Sequence, residues 1–154
     1  MSSPLADQNP PATEVEIKAA IDAVDAAGGG VVRLLPGTDN FSSSISCTLL
    51  NHYNNISIVG SGRGATILKA VANNVSIFAF GNGDANSGIV PKNLHFAQMT
   101  LDMNNTTGAA YGMAIACCQD VTMDNLHFKN QKNGAKSMLF FGVTANASGA
   151  LIPR

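Results

Sequence analysis

Lys92-Asn93-Leu94-His95-Phe96-Ala97-Gln98-Met99-Thr100-Leu101-Asp102 is echoed downstream by Gln119-Asp120-Val121-Thr122-Met123-Asp124-Asn125-Leu126-His127-Phe128-Lys129. Laid one above the other, the segments set Leu94 on Val121, Phe96 on Met123, Met99 on Leu126 and Leu101 on Phe128, with polar residues between. The offset is constant, 120 − 93 = 27 residues. Short strands of alternating pattern that return at a fixed interval are the sequence signature of coiled parallel β-structure, because each turn buries the same face above the last.

Working outward, other segments repeat the motif. Asn55-Ile56-Ser57-Ile58, Asn74-Val75-Ser76-Ile77, Asn93-Leu94-His95-Phe96 and Asp120-Val121-Thr122-Met123 each place an amide or carboxylate before an apolar strand. Such side chains hydrogen-bond their own backbone, which suits a repeated corner. Read as successive coils, these give intervals of 19, 19 and 27 residues (74 − 55, 93 − 74, 120 − 93) and about five coils between Gly30 and Arg154. Strands are expected at 31–35, 44–50, 56–59, 65–68, 75–80, 94–96, 99–101, 113–117, 121–123, 126–128 and 138–143.

Before the coils, Thr13 and Glu16 form a capping box, and Ile17, Ala20, Ile21 and Val24 recur at helical spacing until Gly28-Gly29-Gly30 stops the run. A solenoid exposes an apolar end that an atypical unit must cover, so a helix over 13–27 is expected as the lid on the first coil. Residues 1–12, with Pro4, Pro10 and Pro11, read as an extended arm or linker ahead of a single domain over 13–154, its coils running from 31 to 154.

Composition narrows the function classes. With 45% hydrophobic and 12% charged residues, the 154-residue chain is globular and poor in charge. A net charge of −1 and scattered Lys and Arg argue against a nucleic-acid partner. No apolar run approaches the ~20 residues of a membrane span, and the polar opening Met1-Ser2-Ser3-Pro4 has no signal-peptide core. Cys47, Cys117 and Cys118 are too few and irregular for a disulfide framework or paired zinc half-sites. Met99, Met103, Met113, Met123 and Met138 read as core fillers.

The order of helix, Ala26-Ala27-Gly28-Gly29-Gly30-Val31-Val32, Leu35-Pro36-Gly37-Thr38 and Ile58-Val59-Gly60-Ser61-Gly62-Arg63-Gly64-Ala65-Thr66-Ile67-Leu68 resembles the start of the pectate-lyase-like right-handed β-helix, in particular the branch of phage tailspikes, tail-associated depolymerases and secreted carbohydrate-active enzymes. The resemblance implies an all-β, right-handed parallel β-helix capped by the helix. It further implies a homotrimer with other virion subunits, a virion or extracellular location, and an outer face that binds or cleaves polysaccharide. Members usually run through many more coils, whereas this sequence stops at Leu151-Ile152-Pro153-Arg154 with no visible carboxy-terminal cap, so a fragment or an end covered by another subunit is expected.

Candidate chemistry lies on the outward positions. His95 on one coil, with Asp120, Thr122 and Asp124 on the next, forms one patch, in which a histidine beside carboxylates suits general acid–base work or sugar binding. Solvated residues on the outside of a sheet are the alternative reading. Asp120 and Asp124 are four residues apart on an extended segment, about 13 Å, beyond the ~5–5.5 Å of retaining and the ~6.5–9.5 Å of inverting glycosidases. On the neighbouring face Thr100 aligns with His127, and Asp102 with Lys129 as a cross-strand ion pair. Thr122 and His127 are candidate sugar-binding groups, His95, Asp120 and Asp124 the candidate catalytic ones. No cofactor and no metal site is expected: after Arg63 the acids are Asp84, Asp102, Asp120 and Asp124, too sparse for a calcium-dependent lyase site. The glycine-rich 60–64 turn lacks the order of a phosphate-binding loop and reads as a corner. Asn40, Asn55, Asn74, Asn104, Asn105 and Asn146 match N-x-[ST] only as the corner pattern generates it.

Overall fold

The computed structural model describes residues 13–48, 53–81, 91–108, 111–116, 118–132 and 139–142. Helix α1 (Glu14–Ala26) starts at Thr13, whose hydroxyl accepts from the Glu16 N–H while the Glu16 carboxylate accepts from the Thr13 N–H. Ile17, Ile21 and Val24 face the coils and are fully buried. Two polar ties hold the helix down. Glu14 accepts hydrogen bonds from Ser42 and Ser43, and Lys18 and Asp22 both reach the hydroxyl of buried Tyr53 in the second coil.

The strands wind as stacked rungs. Rung one holds β1 (Gly30–Arg33), β2 (Gly37–Phe41) and β3 (Ile45–Thr48); rung two holds β4 (Ile56–Val59), β5 (Thr66–Ala70) and β6 (Phe78–Gly81). Rung three holds β7 (Lys92–Asp102) and β8 (Met113–Ala116), and rung four β9 (Gln119–Lys129) and β10 (Leu139–Gly142). Every pairing is parallel, and the long strands β7 and β9 bend through two faces each. The first face stacks β1, β4 and the leading halves of β7 and β9; the second stacks β2, β5 and the trailing halves; the third stacks β3, β6, β8 and β10. This is the expected parallel β-helix with an amino-terminal helical cap.

The 92–102 and 119–129 alignment holds residue for residue, Leu94 on Val121 through Asp102 on Lys129. The inward columns Val32–Ile58–Phe96–Met123 and Ile45–Phe78–Met113 build the core, and the Phe78, Phe80 and Phe96 rings lie 5.3–6.3 Å apart between centroids. Met99, Met103 and Met113 are buried as expected of fillers; Met138 falls outside the described residues.

Three readings are corrected. The intervals between the register partners Gly30, Ile56, Leu94 and Val121 are 26, 38 and 27 residues (56 − 30, 94 − 56, 121 − 94) and not 19, 19 and 27; they give four rungs among the described residues, and the remainder of the expected five falls outside them. Asn74 does not share the column of Asn55, Asn93 and Asp120: its N–H donates to Thr107 at the corner leading into the third face. Strand β2 is absent from the expected strands, since Gly37-Thr38-Asp39-Asn40-Phe41 has one large apolar residue; pairing with β5 makes it a strand. The arm at 1–12 and the chain end at 143–154 lie outside the described residues.

Corners explain the recurring amides. Asn55, Asn93 and Asp120 sit at φ 59, 53 and 53°, and Gln98 and Asn125 at φ 60 and 47°, the left-handed region that Asn and Asp tolerate best. The Asn93 amide donates to Asn55 at 2.8 Å, and Asn125 donates to Gln98 at 2.7 Å, so side chains form ladders parallel to the backbone ones. At the same corner in rung two, Gly60 is needed for close approach, since an added Cβ would lie 2.3 Å from the Gln98 carbonyl oxygen.

Phe96→Ala should destabilise the chain by about 3–5 kcal/mol, read as a lower urea midpoint, whereas Val15→Ser on the exposed side of α1 should change it little. Asp120 stacks on Asn93 without an amide N–H to donate; Asp120→Asn supplies one and should raise stability by about 0.5–1.5 kcal/mol.

Candidate functional site

On the first face the outward columns are Ser57–His95–Thr122 and Val59–Ala97–Asp124. His95 is half-buried directly beneath exposed Thr122, as the register from sequence requires. Asp124 is exposed over Ala97, which is itself buried at 2% exposure, so no polar side chain on the rung below meets the carboxylate. Asp120 is exposed at a corner with φ 53°, in line with Asn55 and Asn93. That alignment gives its residue type a backbone reason independent of chemistry. Thr122 donates a long 3.5 Å hydrogen bond to the Leu94 carbonyl, and the His95 side chain makes none among the described residues. The structure thus brings His95 and Thr122 together and leaves Asp120 and Asp124 on either side of Thr122.

On the second face His127 is exposed over Thr100. Thr100 points outward yet is only 2% exposed, because the 61–65 loop lies across it and the Thr100 hydroxyl donates to the Arg63 carbonyl. That loop is fixed at its base: the Ser61 hydroxyl donates to the Leu34 carbonyl, and the Gly62 N–H to that of Gln98. The glycine-rich stretch is therefore a corner, with Gly62 at φ 138°.

The predicted ion pair is present, Lys129 Nζ to Asp102 Oδ2 at 3.2 Å. Sequence reasoning missed its company. Asp102 Oδ1 also accepts from the Asn104 N–H at 2.9 Å and the Asn130 amide at 2.8 Å. Burial alone pushes the Asp102 carboxyl up, but the hydrogen bonds from Asn130 and Asn104, with Lys129, outweigh it and hold the group below the usual carboxylate range. The only hint in sequence was the run of asparagines at 104, 105 and 130, each at positive φ in the structure.

Other chemistry is not supported by the described residues. No group of three His, Cys, Asp or Glu is placed to hold a metal among them. Burial pushes the Cys47 thiol up to about 12, which makes it a poor nucleophile, and Cys118 is buried. Cys117 lies outside the described residues. No helix among them is long and apolar enough to cross a membrane.

Residues 13–152 match the family described as rhamnogalacturonase A/epimerase, pectate lyase-like. The chain belongs to this family. Among solved structures it is similar to the A-module of AlgE6, the mannuronan C-5 epimerase of Azotobacter vinelandii, at 26% identity and TM-score 0.67, over 84% of this chain and 36% of that one. ORF18 of Geobacillus virus E2 shares the fold at 24% identity and TM-score 0.58, over 77% of this chain and 23% of that one. The chain thus spans about a third and under a quarter of these two structures. No curated protein matches it.

Because the Asp102 pKa is depressed on folding, its stabilisation is present above the unfolded value, near 3.8, and is lost as pH falls through the lower folded value. The thermal midpoint should therefore fall between about pH 5 and about pH 2. The fall should be shallower in Asp102→Asn, measured by circular dichroism.

Proposed function

We propose that this chain is an adhesive β-helix segment of a virion tailspike or tail-fibre component, working outside the host cell as a homotrimer with other virion subunits and contacting surface polysaccharide. The observation that carries the adhesive reading is the separation of the acids. Asp120, at the corner that opens β9, and Asp124 flank Thr122 about 13 Å apart along the strand, while the other outward carboxylate among the described residues of the coils, Asp102, is committed to Asn130, Asn104 and Lys129. Hydrolysis of a glycosidic bond needs two carboxyl groups within about 5–10 Å. What remains outward, His95, Thr122 and His127, offers hydrogen-bonding groups suited to sugar hydroxyls. The family is one of sugar-acting proteins, and the motif order from α1 through the 60–66 corner, which resembles the tailspike branch, supports the virion setting.

A second reading has its own support. The 26% identity to the mannuronan C-5 epimerase module extends over 84% of this chain, which favours a polysaccharide lyase, glycoside hydrolase or epimerase with catalytic residues beyond this segment or across a subunit interface. Fold alone does not choose between them.

One set of measurements separates the two. The native mass of the chain should be that of a trimer, and it should be retained on immobilised polysaccharide from a panel without releasing reducing ends or unsaturated products. Product formation abolished by Asp120→Ala or Asp124→Ala would defeat the adhesive reading.

A further inference from the structure

The cap helix is joined to the molecule differently from any strand. Each rung is bonded to the next along a parallel backbone ladder, whereas α1 meets the coils through buried Ile17, Ile21 and Val24 and through side-chain hydrogen bonds. At its start a single atom, Glu14 Oε1, accepts from four donors: the N–H groups of Ser42 and Ser43 at 3.2 and 3.1 Å and their hydroxyls at 2.7 and 3.1 Å. Two turns further on, the Tyr53 hydroxyl donates to Asp22 at 2.9 Å and accepts from Lys18 at 3.1 Å. An open cleft of about 320 Å³, lined by Glu14, Lys18, Asp22, Ser43 and Ser44, brings solvent to these ties. The chain leaves the helix through Gly28 and Gly29 at φ 84 and 122°, a link whose backbone turns freely.

We infer that α1 is an acid-released lid: loss of the Glu14 charge lifts the helix from rung one while the stacked coils stay folded. Burial pushes the Glu14 carboxyl up, but hydrogen bonds from Ser42, its own N–H and Ser43 outweigh it and hold the group below the usual carboxylate range. Its contribution is therefore complete above the unfolded value, near 4.5, and is lost as pH falls through the lower folded value. Glu16, held low by the Thr13 N–H and hydroxyl, gives up its half of the capping box in the same direction, so the helix start loosens as the latch opens. Lys18 offers no compensation: burial draws it down, yet Asp22 and Tyr53 outweigh this and keep it charged. The strands packed against the helix bring exposed Arg33 on β1, buried Asp39 on β2 and buried Cys47 on β3, and β4 brings no titratable group. The second tie is itself strained, since Tyr53 sits at φ 39°, costly for an aromatic residue unless its surroundings hold it. A 13-residue helix is marginal on its own, so few contacts remain to keep it down. Lifting it bares Val32, Leu34, Phe41 and Ile45 and the edges of β1, β2 and β3, each paired on one side only among the described residues.

Hydrogen exchange of the full 154-residue chain, resolved by peptide and corrected for the intrinsic effect of pH, tests this. Protection of residues 14–26 should fall about tenfold between about pH 6 and about pH 3, the equivalent of one unit of pKa shift, while residues 92–102 keep most of theirs. Cys47, fully buried on β3 against the helix, should become open to dithiodipyridine, a thiol reagent active in acid, over the same range. Glu14→Gln keeps an acceptor oxygen but cannot titrate; it should start with weaker protection of α1 and lose most of the acid step. Tyr53→Phe should weaken protection at every pH and retain the step, as should Asp102→Asn without weakening α1. An undiminished step in Glu14→Gln, or loss of protection in 14–26 and 92–102 together, overturns the proposal. So does acid exchange of α1 with Cys47 still closed, because the helix then frays in place and does not lift.

Discussion

The whole architecture depends on registered stacking of inward side chains. A parallel rung has no hairpin to set its alignment, and a slip of one residue would turn every apolar group to solvent. Register is held instead by shape inside and by amides at the corners. Phe96 packs between Ile58 and Met123 and against Phe78 and Phe80, while Asn93 on Asn55 and Asn125 on Gln98 fix where each rung turns. Neither device suffices alone: the core columns are greasy and tolerant, and the ladders are exposed and individually weak. Together they make each coil a template for the next.

The same constraint decides where variation is allowed. Rung two needs 38 residues and rung three 27, counted as 94 − 56 and 121 − 94, yet the paired strands stay in step, and among the described residues extra length leaves as excursions at corners. One such excursion, at 60–65, lies back over the second face and covers Thr100. The amino-terminal end is closed by a helix that meets the coil with Ile17, Ile21 and Val24 and is tied to it by Glu14, Lys18 and Asp22. Function on such a scaffold belongs to the outward positions, where side chains from different rungs meet at strand spacing, and to the loops that cross them.

The same geometry gives some candidate residues a backbone role of their own. Asp120 resembles an active-site acid in sequence, standing near His95 and Asp124, but it occupies the left-handed corner that Asn55 and Asn93 occupy in earlier rungs. Asp102 looks like half of a simple ion pair and is the hub of a corner that also engages Asn104 and Asn130. Among the described residues the outward positions of the first face offer hydrogen-bonding groups, His95 beneath Thr122, spaced by the rung repeat.

From sequence alone came the fold class, the capping helix with its Thr13 and Glu16 box, and the full pairing of 92–102 with 119–129, because alternation and capping are local patterns written at fixed spacing. The pairing of Asp102 with Lys129 and of His95 with Thr122 followed from that register. Tertiary structure decided the rest. It placed Asn74 at a different corner from Asn55, made a strand of Gly37–Phe41, set four rungs among the described residues, and carried Arg63 across Thr100. Those features depend on which segment lies beside which in space, and a polar strand or a glycine-rich loop holds no periodic signal of its own neighbour.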